Sequence, residues 1–257
     1  MENIKSNDYL GLLSGDSVKI KHPLDQGKVI TLYRVIALKT FRIKKFAITI
    51  KKYDTGGWAE SIENFTNTPC WIKDSARIFD NAVISNDSIV SDTSLIFGNS
   101  VIDGSRVENY SRVYGDALIN DSLLKDFSEV KDNSKIISSK LFNGVRVDKN
   151  ATVKNSTMKD GAYCTENAYL DKCELIDASI ARGSAELFNC EMINHAIIKE
   201  GDYRNKKMNR THDLSVRRVQ PEDDPYPSET YGKGSQIIQR GSSGGFNAQS
   251  AFNSLKN

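Results

Sequence analysis

From Ala76 onward a small residue recurs every five or six positions, beginning Ala76, Ala82, Ser88, Ser94, Ser100, Ser105 and ending Ala185, Cys190, Ala196. Of the 22 positions in that series, 21 are Ala, Ser or Cys; Val145 is the exception. Two residues after each comes an aliphatic side chain, from Ile78, Ile84 and Val90 through to Leu187, Met192 and Ile198. Twenty of those 22 are Ile, Val, Leu or Met; Cys164 and Ala181 are the others. A spacing of two places both members on the same side of an extended strand. Each step therefore reads as one short strand and one corner, with a small and an aliphatic residue facing inward.

Three such faces close a triangular coil, so the pattern predicts an all-β fold, a single-stranded parallel β-helix of hexapeptide type. From Ile102 the steps run 5, 6, 6, and Val107, Leu124, Leu141, Met158, Leu175 and Met192 stand 17 apart. The early turn from Ile78 to Ile96 takes 18. One corner of the three is thus a residue shorter, always the same one. The 22 faces predict about seven rungs, roughly 34 Å at the inter-strand spacing. Asp, Asn and Gly precede the small residues, as in Asp80-Asn81, Gly98-Asn99 and Asn120-Asp121. Those types accept left-handed backbone and bond nearby amides, so this acid is read as turn chemistry rather than a calcium site.

The ends differ. Residues 1–70 lack the repeat, and Val18-Lys19-Ile20, Lys28 to Leu38 and Phe46 to Lys52 read as strands of a β-rich cap. A β-helix needs such a cap to cover its open strand edge. Apolar outward positions on the early rungs (Val83, Ile89, Leu95, Phe97, Val101) predict that something packs there. The coil is assigned to 71–199. Residues 200–257 then read as an extended or disordered arm, with a basic stretch from Arg204 to Arg218, an acidic Pro-rich turn, and Phe246 and Phe252 as anchors for a partner.

Composition changes little in this picture. Lys plus Arg is 35 and Asp plus Glu 33, so no global charge calls for nucleic acid; the basic stretch could touch phosphate but, interspersed with Asp213, reads as a solvated segment, which makes nucleic acid an unlikely partner. The most apolar run, Val29 to Leu38, holds Thr31, Tyr33 and Arg34, too short and polar to cross a bilayer. No signal-peptide pattern opens the chain. The cysteines (Cys70, Cys164, Cys173, Cys190) have no zinc-ligand spacing and read as buried thiols made in a reducing compartment. Neither metal nor cofactor is expected.

Three further segments carry a resemblance. They are Leu32-Tyr33-Arg34-Val35-Ile36-Ala37-Leu38, Thr55-Gly56-Gly57-Trp58-Ala59-Glu60 with Asn64-Phe65, and Cys70-Trp71-Ile72-Lys73-Asp74-Ser75-Ala76 running into the repeat. Over about residues 29–198 the chain resembles the bacterial and phage hexapeptide-repeat "transferase-like" proteins, which join a small β domain to a left-handed β-helix. That resemblance implies the handedness and a virion or prophage origin, with the protein in the virion or in the host cytoplasm before assembly. Hexapeptide acyltransferases, which share the coil, are trimers that bind acyl-CoA between coils and use a histidine base, often on an interrupting loop. Here no loop interrupts the repeat. His22 and His212 lie outside it, and His195, at a corner beside Ala196, is the weak catalytic candidate. The leading expectation is a non-catalytic structural protein, capsid-associated or fibre-like and homotrimeric. Its contacts would use the apolar patch of Ile176, Ile180, Ile193 and Ile197 and the arm. An acyl-CoA-dependent acyltransferase and a sugar-binding adhesin using Tyr110, Tyr114, Tyr163 and Tyr169 are the alternatives.

Overall fold

The computed structural model describes residues 3–209. It is all-β: parallel coils stacked as a left-handed β-solenoid of about nine turns. One face is a nine-stranded parallel ladder that begins at Trp71–Ile72 and ends at Lys207–Asn209. Ile72, Val90, Val107, Leu124, Leu141, Met158, Leu175, Met192 and Met208 stack along it, all essentially buried. The inward pairs fill the prism as the repeat predicts.

The corners explain the step lengths. At most six-residue corners the amide of the small residue turns back on the carbonyl three positions earlier, as in Ser111 N–H to Glu108 O (3.3 Å) and Ala151 N–H to Asp148 O (3.2 Å). A five-residue corner has no room for that turn. Its amide is instead taken by the serine hydroxyl one turn below: Ser105 N–H to Ser88 Oγ (3.1 Å), Ser122 to Ser105 (3.0 Å), Ser139 to Ser122 (3.0 Å), Ser156 to Ser139 (3.1 Å) and Cys173 to Ser156 (2.9 Å). Ser88 still stands on a six-residue corner and bonds Ser85 O (3.1 Å) as well as lending its hydroxyl. This is why Ala fills the other two corners freely and never the short one. The short corner also has a single left-handed residue (Gly104, Asp121, Ser138, Asn155, Lys172, Asn189) where its first, longer copy has two, Asn86 and Asp87.

The coil is longer than the repeat announced, at both ends. Seven rungs become about nine. At the start, β1 (Asn3–Ser6), β2 (Leu10–Lys21), β3 (Val29–Ala37) and β6 (Thr55–Ala59) form an antiparallel series, beside a separate hairpin of β4 (Phe41–Ile43) and β5 (Ile48–Ile50). Strand β6 then pairs parallel with Arg77–Ile78, so it serves as a strand of the turn below the first counted one. Trp58 N–H reaches Ala76 O (2.9 Å) and Thr66 N–H reaches Ile84 O (3.2 Å). Two glycines permit that approach: a Cβ on Gly56 would lie 2.4 Å from Ile72 O, and one on Gly57 2.6 Å from Ala76 O. At the far end the coil continues past 199. Ile197–Arg204 pairs with Ile180–Phe188, and Lys207–Asn209 with Glu191–Ile193. The register slips by one residue between Ala181 and Ser184, so partners that were 17 apart become 16 apart, as in Leu187 with Tyr203. That slip broke the period and hid the last turn.

The cap also leans along the outside of the coil. Ile30 and Leu32 of β3 bury Phe79 and Phe97, with Val18, Ile20, Trp58, Leu95 and Tyr114 around them. Phe79, Phe97 and Tyr114 form a stack on consecutive turns, with centroid spacings of 5.1 and 4.8 Å. Of the apolar outward positions of the early rungs, Leu95 and Phe97 belong to this seat of the cap, and Ile89 is buried on another face.

Candidate functional site

A histidine beside a carboxylate is the first arrangement to weigh as a catalytic base. His22, carried by the end of β2, is buried between cap and coil, edge-on to Phe79 and Phe97. Its Nε2 lies 3.0 Å from Asp80 Oδ2. Its Nδ1 accepts the amides of Leu24 and Asp25, both at 3.1 Å. Two donors on Nδ1 put the ring proton on Nε2, where it is given to Asp80. Neither nitrogen is left to take a proton from an acceptor. Lys28 Nζ binds the other Asp80 oxygen at 2.5 Å, and the Gly98 amide adds a third donor at 3.2 Å. Burial would raise the Asp80 carboxyl, but the Lys28, His22 and Gly98 donors outweigh it and hold it below the ordinary carboxylate value. The cluster is a clasp between the cap and the second corner of the coil.

Around the first corner of the late turns the structure brings together the residues singled out in sequence. Ile176 directly follows a strand and Ile193 ends one on one side of it, and Ile180 and Ile197 begin strands on the other. Ile180 is directly opposite Ile197, and Ile176 N–H bonds Met192 O at 2.9 Å. His195 sits in the corner itself, exposed and left-handed (φ 63°), its amide on Asp177 O at 3.0 Å. Among the described residues no carboxylate orients its ring. Ile180 is less available than a surface contact needs. It stands between Tyr163 on the turn below and Ile197 above, and is only 8% exposed. Of the four tyrosines considered for sugar, Tyr114 is stacked under the cap and Tyr163 is buried with its hydroxyl on Asp148 Oδ2 (2.6 Å). Phe246 and Phe252 lie outside the described residues.

The sequence reading missed a groove of about 570 Å³ along the short corner of the last turns. It is lined by Asn155, Lys172, Asn189 and Asn205, which follow one another along the corner, by Lys206, and by Glu174, Glu191 and Lys207, which stack on the adjoining strands. Lys207 pairs with Glu191 at 2.8 Å, and Asn189 Nδ2 donates to Asn205 Oδ1 at 2.7 Å. Cys173 and Cys190 line the groove as free thiols. Burial pushes the Cys173 thiol up to about 11, partly offset by the Cys190 and Asp171 backbone, so it is not a nucleophile at neutral pH. The single left-handed residue of the short corner was the available signal for this groove: three turns in succession place Asn155, Lys172 and Asn189 there. Among the described residues no group of His, Cys, Asp and Glu is arranged to hold a metal ion.

No protein-family model matches the chain, and no curated protein matches it in sequence. Among solved structures, a hexapeptide transferase family protein from Anaplasma phagocytophilum is similar over 68% of this chain and 94% of that one, at 12% identity and a TM-score of 0.33. That degree of likeness carries neither activity nor substrate across.

Proposed function

We propose that this hexapeptide-repeat β-helix protein is non-catalytic: a stiff structural module that assembles laterally as a homotrimer and docks other components of a larger assembly, such as a virion. The observation that carries the reading is the uninterrupted wall. Between Asp74 and Asn205 each corner is a tight turn entered through a left-handed residue, so no inserted loop walls an acceptor pocket. The tied ring of His22 and the unoriented ring of His195 support it. Ile176, Ile193 and Ile197 are the lateral contact with a second copy, and Phe246 and Phe252 belong to the same proposal as anchors for other partners.

Sedimentation of the full chain is expected to give a trimer, and the double variant Ile193→Asp, Ile197→Asp a monomer with an unchanged circular dichroism spectrum. A monomeric parent rejects the lateral contact. Detection of the protein in purified virions tests the setting. A second reading, acyl-CoA-dependent transfer, is favoured by one observation, the three lysines along the short-corner groove, whose charge suits phosphate. Calorimetry with acetyl-CoA separates the two. No heat is expected; micromolar binding that Lys172→Glu with Lys206→Glu abolishes would establish the second reading and reject the first.

A further inference from the structure

Across the sheet that joins cap to coil, one row of outward positions carries an arginine on every second strand. Arg34 stands opposite Trp58, Trp58 opposite Arg77, Arg77 opposite Leu95 and Leu95 opposite Arg112. Arg112 is in turn opposite Glu129, and Glu129 opposite Arg146. Ladder partners point to the same side, so the four guanidinium groups share one face of the sheet. A rung does not need arginine there, since the next three turns fill the position with Tyr163, Ile180 and Ile197.

The outer two arginines are partnered. Arg34 Nε donates to Asp16 Oδ2 at 3.2 Å and its Nη1 to Gly56 O at 3.0 Å, with the guanidinium over the Trp58 ring at 3.8 Å. Arg146 Nε is 3.8 Å from Glu129 Oε2. The inner two differ. Among the described residues the guanidinium of neither Arg77 nor Arg112 makes a hydrogen bond or an ion pair, and Arg77 Nε is buried. Carboxylates of the same face and of the corner leading to it have other partners. Glu129 accepts the Tyr114 hydroxyl at 3.0 Å, and Asp92 accepts Ser91 Oγ at 2.9 Å and the Asn109 amide at 3.2 Å. Asp74 accepts the Asp92 amide at 3.3 Å and pairs with Lys73 at 3.4 Å. Burial pushes the Arg77 guanidinium below its ordinary value. A charge desolvated at one end and left without a counter-charge is a cost to the fold.

We propose that Arg77 and Arg112 form a binding site for a phosphoryl group. They flank Leu95, roughly 9.6 Å apart along the ladder, a span that two arginine side chains can close on one anion. A tetrahedral group has oxygens for two guanidinium forks at once, whereas one fork fills a carboxylate. The Nη groups make the contacts, and the anion balances the charge whose Nε end lies buried. Leu95 and Trp58, both half-buried beside the cap core, border the site with apolar surface that suits an ester substituent. The short-corner groove lies on the other ladder, and the site stands independently of the docking reading.

The test uses the full chain and calorimetry at fixed ionic strength with inorganic phosphate, phenyl phosphate and acetate. Saturable binding of at least one phosphate probe is expected, and none of acetate. Tighter binding of phenyl phosphate supports an ester as the ligand, and equal or tighter binding of inorganic phosphate supports the free ion. Arg77→Met and Arg112→Met should each weaken binding at least about tenfold, the worth of one charge-assisted hydrogen bond. Arg112→Met carries the test alone if Arg77→Met does not fold. Absence of binding by both phosphate probes overturns the proposal, as does acetate binding as tightly as phosphate or undiminished binding in a folded arginine variant. Binding that Lys172→Glu with Lys206→Glu abolishes while the arginine variants keep it belongs to the groove and overturns the proposal too.

Discussion

Serine in the short corner is a backbone requirement written into a side chain. The hydroxyl of Ser122 is the acceptor for the buried Ser139 amide and itself donates to Asn120 O at 2.6 Å. Ser122→Ala should leave that amide unsatisfied and cost about 1–3 kcal/mol. Ser134→Ala keeps its corner bond, Ser134 N–H to Lys131 O, and should cost about 1 kcal/mol or less. Denaturant titration of the two variants checks the difference; equal losses would remove the distinction between corners. Asp80 gives a second expectation at this scale. Its carboxyl is lowered in the folded chain, so the stability it contributes is fully present above the unfolded value near 3.9 and lost as pH falls through the lower folded one. Melting temperature followed downward from pH 5 should fall more steeply in the parent than in Asp80→Asn. The inward pairs and the turn residues were legible in sequence because each repeats one local demand some twenty times. The reason for Ser rather than Ala was legible only as a column, since the acceptor and its amide lie 17 residues apart.

At the scale of elements, cap and coil are joined by a ladder and a lateral core. Strand β6 supplies the parallel edge, and β3 covers the Phe79–Phe97 stack. Phe97 is 2% exposed, and Phe97→Ala should cost about 3–5 kcal/mol. Because each turn contacts its neighbours, that loss should be local. Hydrogen exchange should show faster opening of β2 and β3, with the amides of Leu141 to Leu175 unaffected; uniform acceleration would mean that cap and coil unfold as one. Sequence located the seat of the cap through the outward apolar residues but drew its boundary too late. In the strand that begins the coil Gly57 stands where later turns have an alanine or serine and Ala59 where they have an aliphatic, so it did not read as a repeat. The final turn was missed for a different reason, a single-residue register slip beside Gly183.

For the whole molecule, the architecture was legible because periodicity is a global property of the chain. The candidate sites were not, because they come from departures from that periodicity. The groove lies where the last turns shorten. The hydroxyl-to-amide relay of the short corner has one more consequence. Each link joins equivalent residues one turn apart, so the coil can change length only by whole turns. Excising residues 123–139 would set Lys140 directly after Ser122, in the place Leu123 now holds, and offer the Ser156 amide to Ser122 Oγ in place of Ser139 Oγ. The product would be the same protein about 4.8 Å shorter. A deletion of sixteen or eighteen residues at that place would turn the inward side chains out. Length, in this fold, is inherited in units of one rung.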